Sequence, residues 1–151
     1  MKKKTVILGL GNILMGDEGI GVRAVEYMQE KRWSDNVSLL DGGTGGFHLL
    51  PLFGEHDRIV MIDATIGGKV PGEIKVLKPR FASDFPRSLT SHDIGLRDLI
   101  QSAELIGRLP EITLVTINIG RCNSVEIGIS PELIQKLPEI HQTVQTLLLD
   151  Q

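Results

Sequence analysis

Alternating strand-like and helix-like segments predict an α/β fold, a three-layer α/β/α sandwich around a mixed five-stranded sheet. Three observations carry this prediction. Thr5–Leu10, Arg58–Asp63 and Ile112–Ile119 are short, almost wholly apolar runs of the length expected for strands buried on both faces. Segments with helical apolar spacing follow the first and precede the last of them. The connection from Ala64 to Gly72 is too short for a parallel crossover, so the fourth strand runs antiparallel to the third.

The chain of 151 residues fits one domain, 1–151, and is long enough to bury a core. Hydrophobic residues make up 41% and charged residues 23%, as in ordinary soluble domains. A net charge of −3 with no basic stripe argues against a nucleic-acid partner. The single cysteine, Cys122, cannot form an internal disulfide, which favours a reducing compartment. Lys2–Lys4 before an apolar run imitates a signal peptide, but Asn12, Asp17 and Glu18 interrupt the run and no cleavage site follows. No stretch approaches the ~20 apolar residues of a membrane span. A cytoplasmic protein without membrane insertion is expected.

Thr5–Gly21, TVILGLGNILMGDEGIG, reads as a buried strand, a glycine-punctuated loop and the start of a helix. The helix is expected over Ile20–Arg32, with Gly21, Ala24, Val25 and Met28 on one face. Val37–Leu40 is the second strand, closed by Asp41-Gly42-Gly43-Thr44-Gly45-Gly46, a loop because glycine fills four of its last five positions. Phe47–Phe53 gives a helical turn. The third strand, RIVMID, is expected to finish on Asp63, and the fourth spans Glu73–Leu77. An irregular stretch, 78–91, leads to a helix opened by Thr90 and Asp93 at capping-box spacing, with Leu96, Leu99, Ile100, Ala103 and Ile106 inward. After the fifth strand, Ser130-Pro131 opens the last helical region. Pro138 should break or kink it, and Ile140, Val144 and Leu147 continue its buried face.

This order places Glu18, Asp41 and Asp63 after strand carboxyl ends, where ligands bind in open α/β sheets. His92 opens a helix near the same rim. A dinucleotide site fails on spacing, since Gly9-Leu10-Gly11 with Gly16 reads GxGxxxxG and two acids would repel a pyrophosphate. No P-loop, GxSxG, HExxH or CxxC is present. Glu18, Asp63 and His92 offer carboxylate and imidazole donors suited to a divalent transition metal, with positions open for substrate or water. A histidine in the first turn of a helix is held neutral by the dipole and can ligate. Taken singly, each has a plainer reading: Asp63 caps a turn, His92 sits in one, and Glu18 is solvated. Asp17 reads as a brace that accepts backbone hydrogens, and Asp41 as a turn acid. His48, His56 and His141 stand alone, and Cys122 reads as a partly buried thiol with no adjacent base.

Gly11-Asn12 through Asp17-Glu18-Gly19-Ile20-Gly21 after an apolar strand closely resembles the opening of the [NiFe]-hydrogenase maturation endopeptidases. Asp41-Gly42-Gly43-Thr44, Ile62-Asp63-Ala64 with Pro71-Gly72-Glu73-Ile74, Ser91-His92-Asp93-Ile94-Gly95-Leu96 and Ile129-Ser130-Pro131 resemble further segments of that family, in order and at matching intervals. The resemblance implies a phosphorylase/hydrolase-like sandwich with strand order 2-1-3-5-4 and strand 4 antiparallel. It implies an endopeptidase that removes a C-terminal extension from the hydrogenase large-subunit precursor once nickel is installed, so that the new C-terminus folds inward and closes the active site. The family's metal-contacting positions fall on Glu18, Asp63 and His92. Nickel would arrive on the precursor, and zinc or cadmium would fit the same donors. Asp17 or Asp63 as general base, with nickel used only for docking, is the alternative within the mechanism. A metal-binding chaperone and a nucleotide-binding regulator are the rivals from other classes. Gly120–Val125 (GRCNSV) and His48 depart from the family pattern and bear on which hydrogenase is processed. A small extended partner favours a monomer.

Overall fold

The computed structural model describes residues 2–68, 70–86, 93–107, 109–120 and 125–149. Five strands, β1 (Thr5–Gly9), β2 (Val37–Asp41), β3 (Arg58–Thr65), β4 (Ile74–Leu77) and β5 (Glu111–Asn118), form one sheet of order β2-β1-β3-β5-β4. β1, β2, β3 and β5 are parallel and β4 is antiparallel to β5. Strand order and the reversed fourth strand are as expected from the resemblance and from the short connection after β3.

Period-two alternation divides the core between the two faces of the sheet. Val6, Leu8 and Leu10 lie with Ile59, Met61, Ile112 and Leu114 on one face. They are covered by α2 (Leu50–Glu55) and by Leu96, Leu99, Ile100 and Ala103 of α3 (Asp93–Ile106). Ile7, Val60, Ile62, Val115 and Ile117 face the other way. Ile20, Ala24, Val25 and Met28 of α1 (Ile20–Met28) cover them, with Leu133 of α4 (Pro131–Ile134) and Ile140, Val144 and Leu147 of α5 (Leu137–Leu148). Each fully buried Leu or Ile contributes about 1.5–3 kcal/mol, so these two layers hold the fold. Among the described residues no helix is long and apolar enough to cross a membrane.

Three features differ from expectation for local reasons. α1 stops at Met28 instead of Arg32, because Met28 O accepts both the Lys31 N–H at 3.0 Å and the Trp33 indole N–H at 2.9 Å. β3 continues two residues past Asp63, since Ala64 and Thr65 still pair with Ile117 and Asn118. Ile106, expected inward, is 74% exposed at the end of α3, beyond the layer that closes at Ala103. The last helical region is broken into two helices, as expected, and Pro138 lies in the first turn of α5, where its missing N–H leaves no helical bond unmade. The expected Thr90 cap lies outside the described residues.

The contact between α1 and the sheet is closer than any side chain would allow. A Cβ on Gly21 would stand 2.1 Å from Ile62 O and 2.2 Å from Leu10 O. Gly21→Ala should therefore lower unfolding stability by more than about 3 kcal/mol or prevent folding. Gly54→Ala in α2 meets nothing within 4 Å and should be neutral or stabilising by up to about 1 kcal/mol. Denaturant unfolding of the two variants gives the comparison, and equal stability would refute the close approach.

On the outer face of α5, His141 meets Trp33 and Tyr27 edge-on, at ring separations of 5.4 and 6.4 Å. Burial, and then the Lys31 ammonium, push its imidazole below the ordinary histidine range. The unfolded chain therefore holds this proton more tightly than the folded one. Above the ordinary range the ring is neutral in both states, and stability declines as the pH falls through that range. Between about pH 7.5 and pH 5 the wild type should lose more stability than His141→Phe, as read from unfolding midpoints. Parallel pH profiles would show that the ring is not held neutral.

Candidate active site

The loop after β1 is folded back on itself by its own backbone. Leu10 N donates to Ile62 O (2.9 Å), extending the ladder, and Gly11 N donates to Gly43 O (2.7 Å) in the loop after β2. Asn12 closes a tight turn: its Oδ1 accepts Leu14 N at 2.9 Å and its carbonyl accepts Met15 N at 3.0 Å. Gly16 takes φ of +56°, a left-handed conformation that side-chain-bearing residues avoid, and starts the 3-10 turn Gly16–Gly19. A Cβ on Gly11 would lie 2.3 Å from the Glu18 carbonyl oxygen, so the loop's first glycine is packed against the residue it presents.

This turn lies against β3, at the carboxyl edge that β1, β2 and β3 share. Glu18 is 4% exposed, which excludes the solvated reading. Asp63 is fully buried, and its Oδ1 accepts the N–H of Ala64 at 2.8 Å. By alternation Asp63 belongs to the same face as Ile59 and Met61, the side covered by α3. Its pairing partner on β5 is Thr116, also buried. A groove of about 450 Å³ opens beside this edge, lined by Thr65, Gly68, Lys75, Asp84, Thr116 and Asn118. Asp63 adjoins this groove through Thr116, which lines it. A larger cavity of about 530 Å³, between Trp33, Val37 and Leu148, lies at the opposite, amino end of the sheet and has no acid in its lining.

The other candidates separate by their partners. Asp17 Oδ1 accepts the backbone N–H of Ser130 at 2.6 Å and so braces the loop against the start of α4. Asp41 is exposed and its Oδ1 accepts Gly43 N at 2.8 Å, the bond of a turn acid. His48 is exposed, His56 is buried with Nδ1 3.0 Å from Leu52 O, and His141 packs on Trp33. His92 and Cys122 lie outside the described residues. No cluster of three histidine, cysteine or acidic side chains forms among the described residues, which hold two members of the expected trio.

Asn118, which the sequence did not single out, organises the groove. Its Nδ2 donates to Val70 O at 2.9 Å, its Oδ1 accepts Gly68 N at 3.2 Å, and its carbonyl accepts Gly72 N at 2.6 Å. The signal was a carboxamide ending an otherwise apolar strand, a position that reads equally well as the first residue of a loop.

A mixed 2-1-3-5-4 sheet between helical layers, with buried acids from the first loop and third strand at its carboxyl edge, defines a hydrolase-like α/β protein. Residues 22–147 match the family model described as hydrogenase maturation protease (HycI). The chain belongs to this family. It is 40% identical over 118 residues to the hydrogenase expression/formation protein HupD of Rhizobium leguminosarum bv. viciae, covering 74% of this chain. The chain spans only 57% of that relative's length. It is 33% identical over 151 residues to the hydrogenase 2 maturation protease of Escherichia coli, covering 93% of this chain and 92% of the relative. The solved structure of the hydrogenase maturating endopeptidase HybD from E. coli superposes with a TM-score of 0.86 at 30% identity, over 99% of this chain and 93% of that one.

Asp17→Ala should leave the Ser130 N–H without its acceptor and cost about 1–3 kcal/mol. Amide exchange at Ser130 should accelerate at least tenfold, by about the factor that 1.4 kcal/mol represents. Unchanged exchange would show that the loop and α4 are not tied through Asp17.

Proposed function

We propose that this protein is an endopeptidase that removes the C-terminal extension of a [NiFe]-hydrogenase large-subunit precursor after nickel insertion. Membership of the maturation protease family supports the reaction class. The observation that carries the site is the burial of Glu18 and Asp63 at the carboxyl edge of the sheet, where Thr116, the pairing partner of Asp63, lines an open groove. Carboxylate donors together with an imidazole suit a partner that brings a divalent transition-metal centre. Nickel held by the precursor's cysteines is that centre, and it belongs to the substrate. Glu18 and Asp63, with His92, engage it and so read whether the precursor is ready.

Engagement fixes the peptide bond next to the nickel site against the carboxyl edge of the sheet. Water then adds to the scissile carbonyl, the C–N bond breaks, and the water's proton ends on the leaving amine. Asp63 is placed to accept that proton transiently as general base. The Oδ1 bond from Asp17 to Ser130 favours a bracing role for Asp17 over a second base. The same proposal places the protein as a monomer in the cytoplasm, acting without nucleic acid.

The conservative variants Glu18→Gln and Asp63→Asn remove charge and keep shape. Each should slow precursor processing at least about 100-fold while folding remains intact by circular dichroism. Processing at the wild-type rate by Glu18→Gln would remove Glu18 from the site. Tight precursor binding by the wild type with no cleavage product would make the protein a nickel-dependent chaperone instead.

A further inference from the structure

Beside the candidate site runs a short strand edge that the fold itself does not use. Met15 and Glu126 form an isolated parallel bridge. Glu126 N donates to Leu14 O at 2.9 Å, and Glu126 O accepts Gly16 N at 2.7 Å. Both backbone groups of Glu126 therefore point at the loop that carries Glu18. The Val125 C=O shares a trans peptide unit with the Glu126 N–H, and the Ile127 N–H shares one with the Glu126 C=O, so this carbonyl and this N–H face outward. Neither residue has a hydrogen-bond partner among the described residues. Their side chains are each 79% exposed, and Leu14, whose carbonyl accepts the Glu126 N–H, is 55% exposed.

An edge of outward peptide groups flanked by apolar side chains is complementary to one kind of ligand, another extended chain. The bridge holds this edge directly against Gly16, two residues before Glu18. We infer that residues 125–127 are a docking strand, on which the precursor segment flanking the scissile bond is added as a further strand. The segment bonds to the free backbone groups of Val125 and Ile127 and sets apolar side chains against theirs and Leu14. This inference rests on the proposed endopeptidase reading and supplies its mode of substrate binding. Backbone pairing also accounts for how a protease can grip a segment while side-chain pockets remain shallow: the peptide groups supply affinity and the apolar pair supplies register.

Ile127→Pro deletes one outward N–H and touches neither bond of the bridge, because both belong to Glu126. With nickel-loaded precursor it should raise KM about tenfold, the equivalent of one lost peptide hydrogen bond, with the loss carried by KM rather than kcat. Ile127→Ala, which keeps the N–H, should raise KM less. Amide exchange on the wild type provides a reading independent of folding: Ile127 should exchange fast alone and become protected when precursor is added. Wild-type KM in Ile127→Pro, or no protection of this amide while cleavage proceeds, would overturn the docking strand and leave the protease standing. Protection that rises with protein concentration alone would assign the edge to a second copy of the chain and likewise overturn it. Failure of the wild type to cleave loaded precursor would overturn both.

Discussion

The whole arrangement depends on a backbone-to-backbone contact between the first helix and the middle of the sheet. Gly9 and Gly21 face each other so closely that a Cβ on Gly9 would lie 2.4 Å from Gly21 O, while one on Gly21 would penetrate Ile62 O and Leu10 O. With hydrogen as the only side chain on both sides, α1 lies directly on β1 and β3. The turn before α1 is thereby drawn over the carboxyl end of β3. A helix standing further from the sheet would carry the turn that holds Glu18 away from the carboxyl end of β3. Glycine spacing in the opening loop is thus a distance constraint on the acids, and the fold is the means of enforcing it.

Burying carboxylates at that edge opposes folding unless they are partnered. The structure meets the cost locally: Asp63 accepts the next residue's N–H, Asp17 takes the Ser130 N–H, and Glu18 sits in a turn closed by Gly16, Met15 and Glu126. Asn118 performs the same service on the far side of the groove, holding Gly68 and Val70. The consequence is a rigid rim made of loops, with the stability supplied by the two apolar layers beneath. Function concentrates at loop ends set on such a scaffold.

The elements that were legible in the sequence are those whose signal is local. Buried strands appear as apolar runs, the reversed β4 follows from a connection too short to cross over, and the break before Pro138 follows from its missing N–H. Burial of Glu18 was not legible, because it depends on Gly21 packing against the distant backbone of Ile62 and on the loop closing on itself at Gly11 and Gly19, and a carboxylate beside glycines reads as solvated. The extension of β3 past Asp63 depends on pairing with β5, fifty residues later in the chain, so a carboxylate looked like a stop. The partner of Asp17 is more distant still, 113 residues along the chain at Ser130. Met28 ends α1 because Trp33 folds back onto its carbonyl, a tertiary contact that helical periodicity does not encode. Strand order came from the likeness to a family rather than from any residue pattern, since connectivity rules leave several orders open.

The most direct test is the intact mass of the large-subunit precursor, nickel-loaded and nickel-free, before and after incubation with this protein. Loss of a single C-terminal peptide from the loaded sample alone is the expected result, and it would establish cleavage and its metal checkpoint in one experiment. Unchanged mass in both samples, with nickel shown to be present in the first, would contradict an endopeptidase that reads substrate nickel through Glu18 and Asp63.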